Sequence, residues 1–377
     1  MRISTLATIA LSGVPAVLAL PSKPSTGEGA VFAMTNAVDN QIIAFTRKSD
    51  GTLVKFGQYP TGGHGQGVDF DTQGGLQLSA DNKFLYAVNP ADDLVTVFSV
   101  DGAGLKKVQT IYAGDQPLAI TLSSTGYAYV LDGSVASTGI FGFKVNQKDG
   151  TLAPLTNSTI GLSTPIGVPG VVAFAPDGKS IIVTNKVGST IDVFSVSADG
   201  HASAAPVTTM ASSGLRPFGA TFGKDGILYV VESGLPAFDN SGVSTYRLNG
   251  GQTPSLTAVT KSARNLQTDG CWVVITPDQK YVYTANFVSN SISSYAVNAN
   301  GTASLIKGDA ALPGDGTEPV DLALSSDGAY LYNLLRGGGA VVGWKIQSDG
   351  SLKSVGGLFG KGQGIPVADG ASGLAAY

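Results

Sequence analysis

The residues of this chain best suited to chemistry are a guanidinium and a carboxylate 16 positions apart, Arg216 and Glu232. An arginine can hold a substrate carboxylate or a developing oxyanion, and a carboxylate can act as general acid or base. Other ionisable groups come from distant segments: His64 within TGGHGQG, then Asp132, Asp269, Glu318 and Arg336. These read as substrate-binding groups, provided the fold gathers them. Cys271 is the single cysteine and stands beside Trp272, so it reads as a small buried apolar residue rather than a nucleophile. His201 follows the Asp199-Gly200 turn and is set aside. There is no Gly-x-Ser-x-Gly elbow and no metal-binding His/Cys spacing, and no helix follows TGGHGQG to make it a phosphate cradle.

What must position these residues is a repeat. Its clearest copies are LSADNKFLYAVN from Leu78, FAPDGKSIIVTN from Phe174, ITPDQKYVYTAN from Ile275 and LSSDGAYLYNLL from Leu324, with weaker copies from Leu122 and Phe222. Aligned on Asp81, Thr125, Asp177, Asp225, Asp278 and Asp327, successive copies lie 44, 52, 48, 53 and 49 residues apart. That period fits four short strands plus turns, the blade of a β-propeller. A seventh copy from Ala30 lacks its leading strand, and GASGLAAY, residues 370–377, aligns with GCWVVITP, residues 270–277. The C-terminal strand is therefore expected to complete the first blade, which closes a seven-bladed ring and removes its exposed sheet edges.

Composition agrees: 51 Gly and 13% charged residues, with short β-branched and aromatic runs, describe a turn-rich all-β chain. Although the chain has 377 residues, a closed ring grows by adding blades, so residues 30–377 read as one domain. Residues 1–19 read as a signal peptide, with Arg2, an apolar run over 6–18 and Val17-Leu18-Ala19 before the cut; residues 20–29 read as a flexible lead-in. Gly13, Pro15 and the short span argue against a membrane helix. Sequons at Asn157 and Asn300 fit a secreted, extracellular or cell-wall glycoprotein. One cysteine permits no intrachain disulfide, and a net charge of -4 without a basic cluster excludes nucleic acid as a partner. A monomer is expected.

In a blade the start of the innermost strand and the end of the next lie on one face, so these positions should ring one mouth of the central channel. The column ending the second strand is Asn36, Asn89, Asp132, Asn185, Glu232, Asn286 and Leu335. Recurrent Asn reads as a turn residue, and Glu232 departs from it. The column before the first strand is Thr72, Gln116, Val168, Arg216, Asp269, Glu318 and Asp369. Its variety fits either separate contributions to a ligand or a solvated rim. Together the columns oppose Asp132, Glu232, Asp269, Glu318 and Asp369 to Arg216 alone, which disfavours a highly anionic ligand.

TPDQKYVYTANFVSNSISSY from Thr276, RPFGATF from Arg216, DGCWVV from Asp269 and TGGHGQG followed by GGLQLSADN resemble the lactonase family of seven-bladed propellers, especially secreted fungal members of the 3-carboxymuconate cyclase-like type. The resemblance covers nearly the whole mature chain. It implies a lactone or muconate-like small molecule handled by acid/base chemistry at the channel mouth. Muconate-lactonising members use a His, Arg residues and a Glu there. Arg216 and Glu232 match the Arg and Glu by type, rim position and spacing; Val168 stands where the His would be, and Arg336 is the nearest second Arg. The alternative is a non-catalytic extracellular or cell-surface propeller that holds a glycan, protein or metabolite on the same face. No cofactor is implied beyond calcium, which other lactonase propellers ligate.

Overall fold

The computed structural model describes residues 28–367 and 370–377. The expected signal peptide, nearly all of the expected lead-in and the expected rim residue Asp369 lie outside the described residues. Each repeat forms a four-stranded antiparallel sheet, seven in all, and the described residues include no helix. Blade 6 is typical, with strands Gly270–Ile275, Tyr281–Asn286, Ser291–Val297 and Ala303–Ala311 running outward from the channel. The second strands Phe84–Asn89, Ser180–Asn185 and Ile227–Glu232 are buried at every position, because neighbouring blades cover both faces. An outermost strand such as Leu53–Pro60 alternates between covered and exposed, as one solvated face requires.

Closure is as the repeat arithmetic predicts. The C-terminal strand Leu374–Ala376 pairs antiparallel with Gly29–Met34, in the register Val31↔Ala376, Phe32↔Ala375 and Ala33↔Leu374. It is the innermost strand of blade 1, so the last residues of the chain complete the first sheet.

The Tyr of the Tyr-x-x-Asn run and the acidic-glycine turn, unrelated in sequence, meet between blades. The phenol of Tyr86 donates to the Gly150 carbonyl of the following blade at 2.9 Å, and Tyr129 to Gly200, Tyr283 to Gly350 and Tyr332 to Gly51 at 2.8–3.0 Å. Tyr332 to Gly51 carries the latch from blade 7 to blade 1, and Tyr377 of the closing strand continues it to Gly102 of blade 2 at 3.0 Å. Gly350 is needed twice: its φ is +81°, and a Cβ there would lie 2.5 Å from the Tyr281 ring.

Candidate functional site

The rim residue before the innermost strand takes the left-handed conformation in four consecutive blades: Val168, Arg216, Asp269 and Glu318 have φ of +48°, +53°, +61° and +51°. Non-glycine residues rarely adopt it, and a run of them needs a structural cause. These four residues share a clasp, in which the rim carbonyl accepts the N–H of the residue just past the end of the second strand. The pairs are Lys186 to Val168, Ser233 to Arg216, Phe287 to Asp269 and Arg336 to Glu318, at 2.8–3.3 Å. The clasp sets the rim column directly beside the residues one position after the Asn column.

The channel between these rims is plugged. Residues 68–75, ahead of the innermost strand of blade 2, run across it and bind almost every blade. The Asn36 amide donates to Val68 O at 2.7 Å, and the Gln73 N–H donates to Gly170 O at 2.8 Å. The Gln73 side chain exchanges two 3.0 Å hydrogen bonds with the backbone of Val273, and Gly74 O and Gly75 O accept from Ile120 and Val88. Thr72 is therefore not a rim residue. It is buried in the plug, its hydroxyl donating to the carbonyls of Phe70 and Pro169. A one-position alignment could not foresee this, because blade 2 begins its inner strand late, at Leu76.

The plug carries two carboxylates to the mouth, where they meet cations from blades 4, 5 and 7. Lys186, whose side chain is 1% exposed, donates to the Asp71 carboxylate at 2.7 Å and also to its carbonyl, and its ammonium sits 4.3 Å above the Phe218 ring. The Arg216 guanidinium reaches the same Asp71 oxygen at 3.7 Å, while its Nε is buried without a hydrogen-bond partner. Asp69 accepts the Asp71 N–H at 2.9 Å and pairs with Arg336 at 2.5 Å. Arg336 also binds Glu318 at 2.9 Å and stacks 4.3 Å over Phe287. Burial raises the Asp269 carboxyl above its usual range and nearby Asp71 adds to this, while Arg216 and hydrogen bonds from Cys271 and Ser233 oppose it. Burial likewise raises Asp69, against the pull of Arg336 and Lys186.

Of the residues singled out from sequence, Arg216, Asp269, Glu318 and Arg336 thus share one mouth. Glu232 does not face Arg216 across it, and the two share no hydrogen bond or ion pair. Glu232 is wholly buried, its Oε1 accepting from Ser212 Oγ at 3.2 Å, Gly214 N–H at 2.8 Å and Ser244 Oγ at 2.5 Å. Asp132 acts alike, its carboxylate accepting the N–H groups of Asp115, Gln116 and Ser134 at 2.8–3.2 Å. Both do what Asn does elsewhere in the column, where Asn89 accepts from Thr61 and Asn40: they tie down the strand-to-blade crossover. Because strand side chains alternate, the column residues turn into the blades and their successors face the mouth.

His64 stands apart, half-exposed on the turns of blades 1 and 2. Its Nδ1–H donates to Asp92 at 2.6 Å, and this bond raises its pKa. Cys271 is buried and its thiol is held well above the usual range, first by desolvation and then by Asp269 and Asp71, which agrees with an inert packing role.

Three charged residues of the mouth escaped the sequence reading: Lys186, Asp69 and Asp71. Lys186 and Arg336 both directly follow the Asn column, so shifting that column by one would have found the two cations together. Nothing local marks the two aspartates, whose role depends on where the plug crosses. With them the mouth holds, among the described residues, Asp69, Asp71, Asp269 and Glu318 against Lys186, Arg216 and Arg336, close to balance. Among the described residues no cluster of three or more His, Cys, Asp or Glu side chains is arranged to hold a metal ion. Three cations beside these carboxylates do not suit calcium, so no step is derived through it.

One cavity of about 430 Å³ opens on the mouth's own face, lined by Val68 of the plug, the rim residue Gln116, and Asp93, Asp115 and Ser134. Another of about 520 Å³ opens on the opposite face, lined by Tyr86, Gln77, Asn146 and Phe174 among others. Two of about 280 and 240 Å³ flank Gln73 and Gln77 along the channel.

A family model described as a 7-bladed beta-propeller lactonase matches residues 26–168 and 220–321. No curated protein sequence gives a significant match. Similar solved structures include a Bacteroides uniformis protein assigned provisionally as a 6-phosphogluconolactonase, 21% identical, TM-score 0.70, spanning 93% of this chain and 100% of that one. A Pseudomonas aeruginosa periplasmic gluconolactonase is 18% identical, TM-score 0.69, over 93% and 99% of the two chains. A Lactobacillus plantarum protein is 16% identical, TM-score 0.71, with coverage of 93% and 99%. At these identities the likeness shows the fold.

Proposed function

The chain belongs to the lactonase family of seven-bladed β-propellers, and from that premise we propose that it acts on a lactone at its plugged mouth, with Arg216 and Asp269 as the reacting pair. The observation that carries this is their placement: equivalent rim positions on adjacent blades bear a guanidinium with an unfilled donor and a carboxyl raised by burial. Such a carboxyl is tuned toward the pH where proton transfer is efficient. In the hydrolytic direction Arg216 polarises the ring carbonyl and holds the oxyanion. Asp269 takes a proton from the attacking water as its oxygen bonds to the carbonyl carbon. The acyl–oxygen bond of the ring then breaks, and Asp269 returns the proton to the leaving alkoxide, giving a hydroxy acid. Closure of a muconate-like acid is a different step, in which a carboxylate oxygen adds to one carbon of a double bond and an acid delivers a proton to the other, and a mouth near balance in charge suits a neutral lactone better than a multiply charged acid.

Glu232 enters as a positioning residue. It fixes Gly214, two residues before Arg216. The gluconolactonase names of structural neighbours make aldonolactones the first substrates to try. A second reading, a non-catalytic binding propeller, is favoured by the filling of the mouth by the plug. We further propose a secreted glycoprotein, consistent with exposed Asn157 and Asn300. A pH-stat screen of neutral and charged lactones, with and without chelator, tests the reading. Acid release that is lost in Arg216→Ala supports it, and no release from any lactone favours the binding propeller.

A further inference from the structure

Lys186 and Arg216 converge on a single oxygen, Oδ2 of Asp71, at 2.7 and 3.7 Å. This is an unusual place for a plug carboxylate. A side-chain ammonium that is 1% exposed, backed by the Phe218 face and flanked by a guanidinium with an orphaned donor, has the make-up of an oxyanion receptor. A buried cation requires a counter-charge, and the chain supplies its own. Asp71 is also itself held in the left-handed region, at φ +54°, so the loop bears strain to bring it there.

We propose that Lys186 and Arg216 form a binding site for a ligand's oxyanion group, a carboxylate or a phosphate, and that Asp71 occupies this site in the resting protein. This rests on the lactonase reading for its purpose. A neutral lactone does not compete with Asp71, whereas the hydroxy acid released by ring opening carries a new carboxylate beside Arg216. Asp71 then competes that product out of the cradle, so the device speeds release and disfavours anionic ligands. The Arg336 pair with Asp69 and Glu318 anchors the other end of the loop, which lets Asp71 yield without the plug leaving the channel.

The test is titration calorimetry of gluconate and, separately, inorganic phosphate against the wild-type protein and Asp71→Asn at low salt. A receptor filled nine-tenths of the time or more by an internal competitor loses about tenfold or more in apparent affinity. Asp71→Asn is therefore expected to bind at least one of the two anions about tenfold or more tightly than wild type, and the preferred anion identifies the source of the oxyanion. Adding Arg216→Ala should abolish the gain. Equal affinities in wild type and Asp71→Asn, or a gain that survives Arg216→Ala, overturn the proposal. Should Asp71→Asn fail to fold, hydrogen exchange on the wild type decides: saturating anion must speed exchange around residues 70–72, and unchanged exchange overturns the proposal. Binding is read without turnover. A protein inactive on every lactone therefore leaves the cradle standing, and an active one with unaltered anion affinity in Asp71→Asn removes the cradle alone.

Discussion

Arg216 and Asp269 hold equivalent positions on neighbouring blades, and substitutions there separate charge from shape. Arg216→Ala and Asp269→Asn are each expected to lower lactone turnover by about 10²-fold, the usual worth of one oxyanion donor or acid/base group. A base must be ionised, so the rate should fall as pH drops through a midpoint above the usual carboxylate range, and Asp269→Asn should erase that limb. Glu232→Gln retains an acceptor for Gly214 and should leave the midpoint in place, measured by the pH dependence of kcat/KM. Asp321 governs stability rather than rate. It is buried in blade 7, accepts from Ser372 Oγ at 3.2 Å and Gly373 N–H at 2.8 Å of the closing segment, and desolvation pushes its pKa up to about 7. Its folded pKa exceeds the unfolded value, so its contribution is complete at about pH 4 and is lost as pH rises toward 7. Thermal midpoints should decline across that window by a few degrees, less so in Asp321→Asn. A flat wild-type profile would contradict this.

At the scale of elements the plug decides what the mouth can be. Gln73 crosses the channel to the inner strand of blade 6, and blade 5 admits it only because residue 219 lacks a side chain: a Cβ there would lie 2.0 Å from Gln73 Oε1. Gly219→Val is expected to displace Gln73, break both of its bonds to Val273 and loosen the carboxylates that the plug carries. Faster hydrogen exchange at Val273, together with a fall in unfolding free energy of about 1–3 kcal/mol for the overpacked site, is the predicted signature. Protection at Val273 equal to wild type would show that the plug tolerates the side chain. The glycine-rich loop ahead of the plug was visible in the sequence, but its destination was not. A loop's path is set by the partners that satisfy its polar groups, and these lie up to 267 residues away.

For the whole molecule, closure is the cooperative step. Deleting residues 370–377 removes the inner strand of blade 1, the acceptor for Arg47 Nε at Tyr377 O and the Tyr377 latch to Gly102. It would leave the edge of the strand Gly29–Met34 open. The truncated protein should show a much lower thermal midpoint and concentration-dependent aggregation by light scattering; an unchanged monomer would refute velcro-type closure. The blade count and this closure followed from sequence alone, because a repeat states its periodic strand pattern seven times and local chemistry has little freedom to answer differently. Arg216, Asp269, Glu318 and Arg336 were legible for the same reason, each standing near a repeat boundary. Tertiary structure decided the rest. It turned Glu232 into a blade, since alternation along a strand sends neighbouring side chains to opposite faces, and it brought Asp69, Asp71 and Lys186 together, since only the path of the plug through the channel makes residues from different blades neighbours.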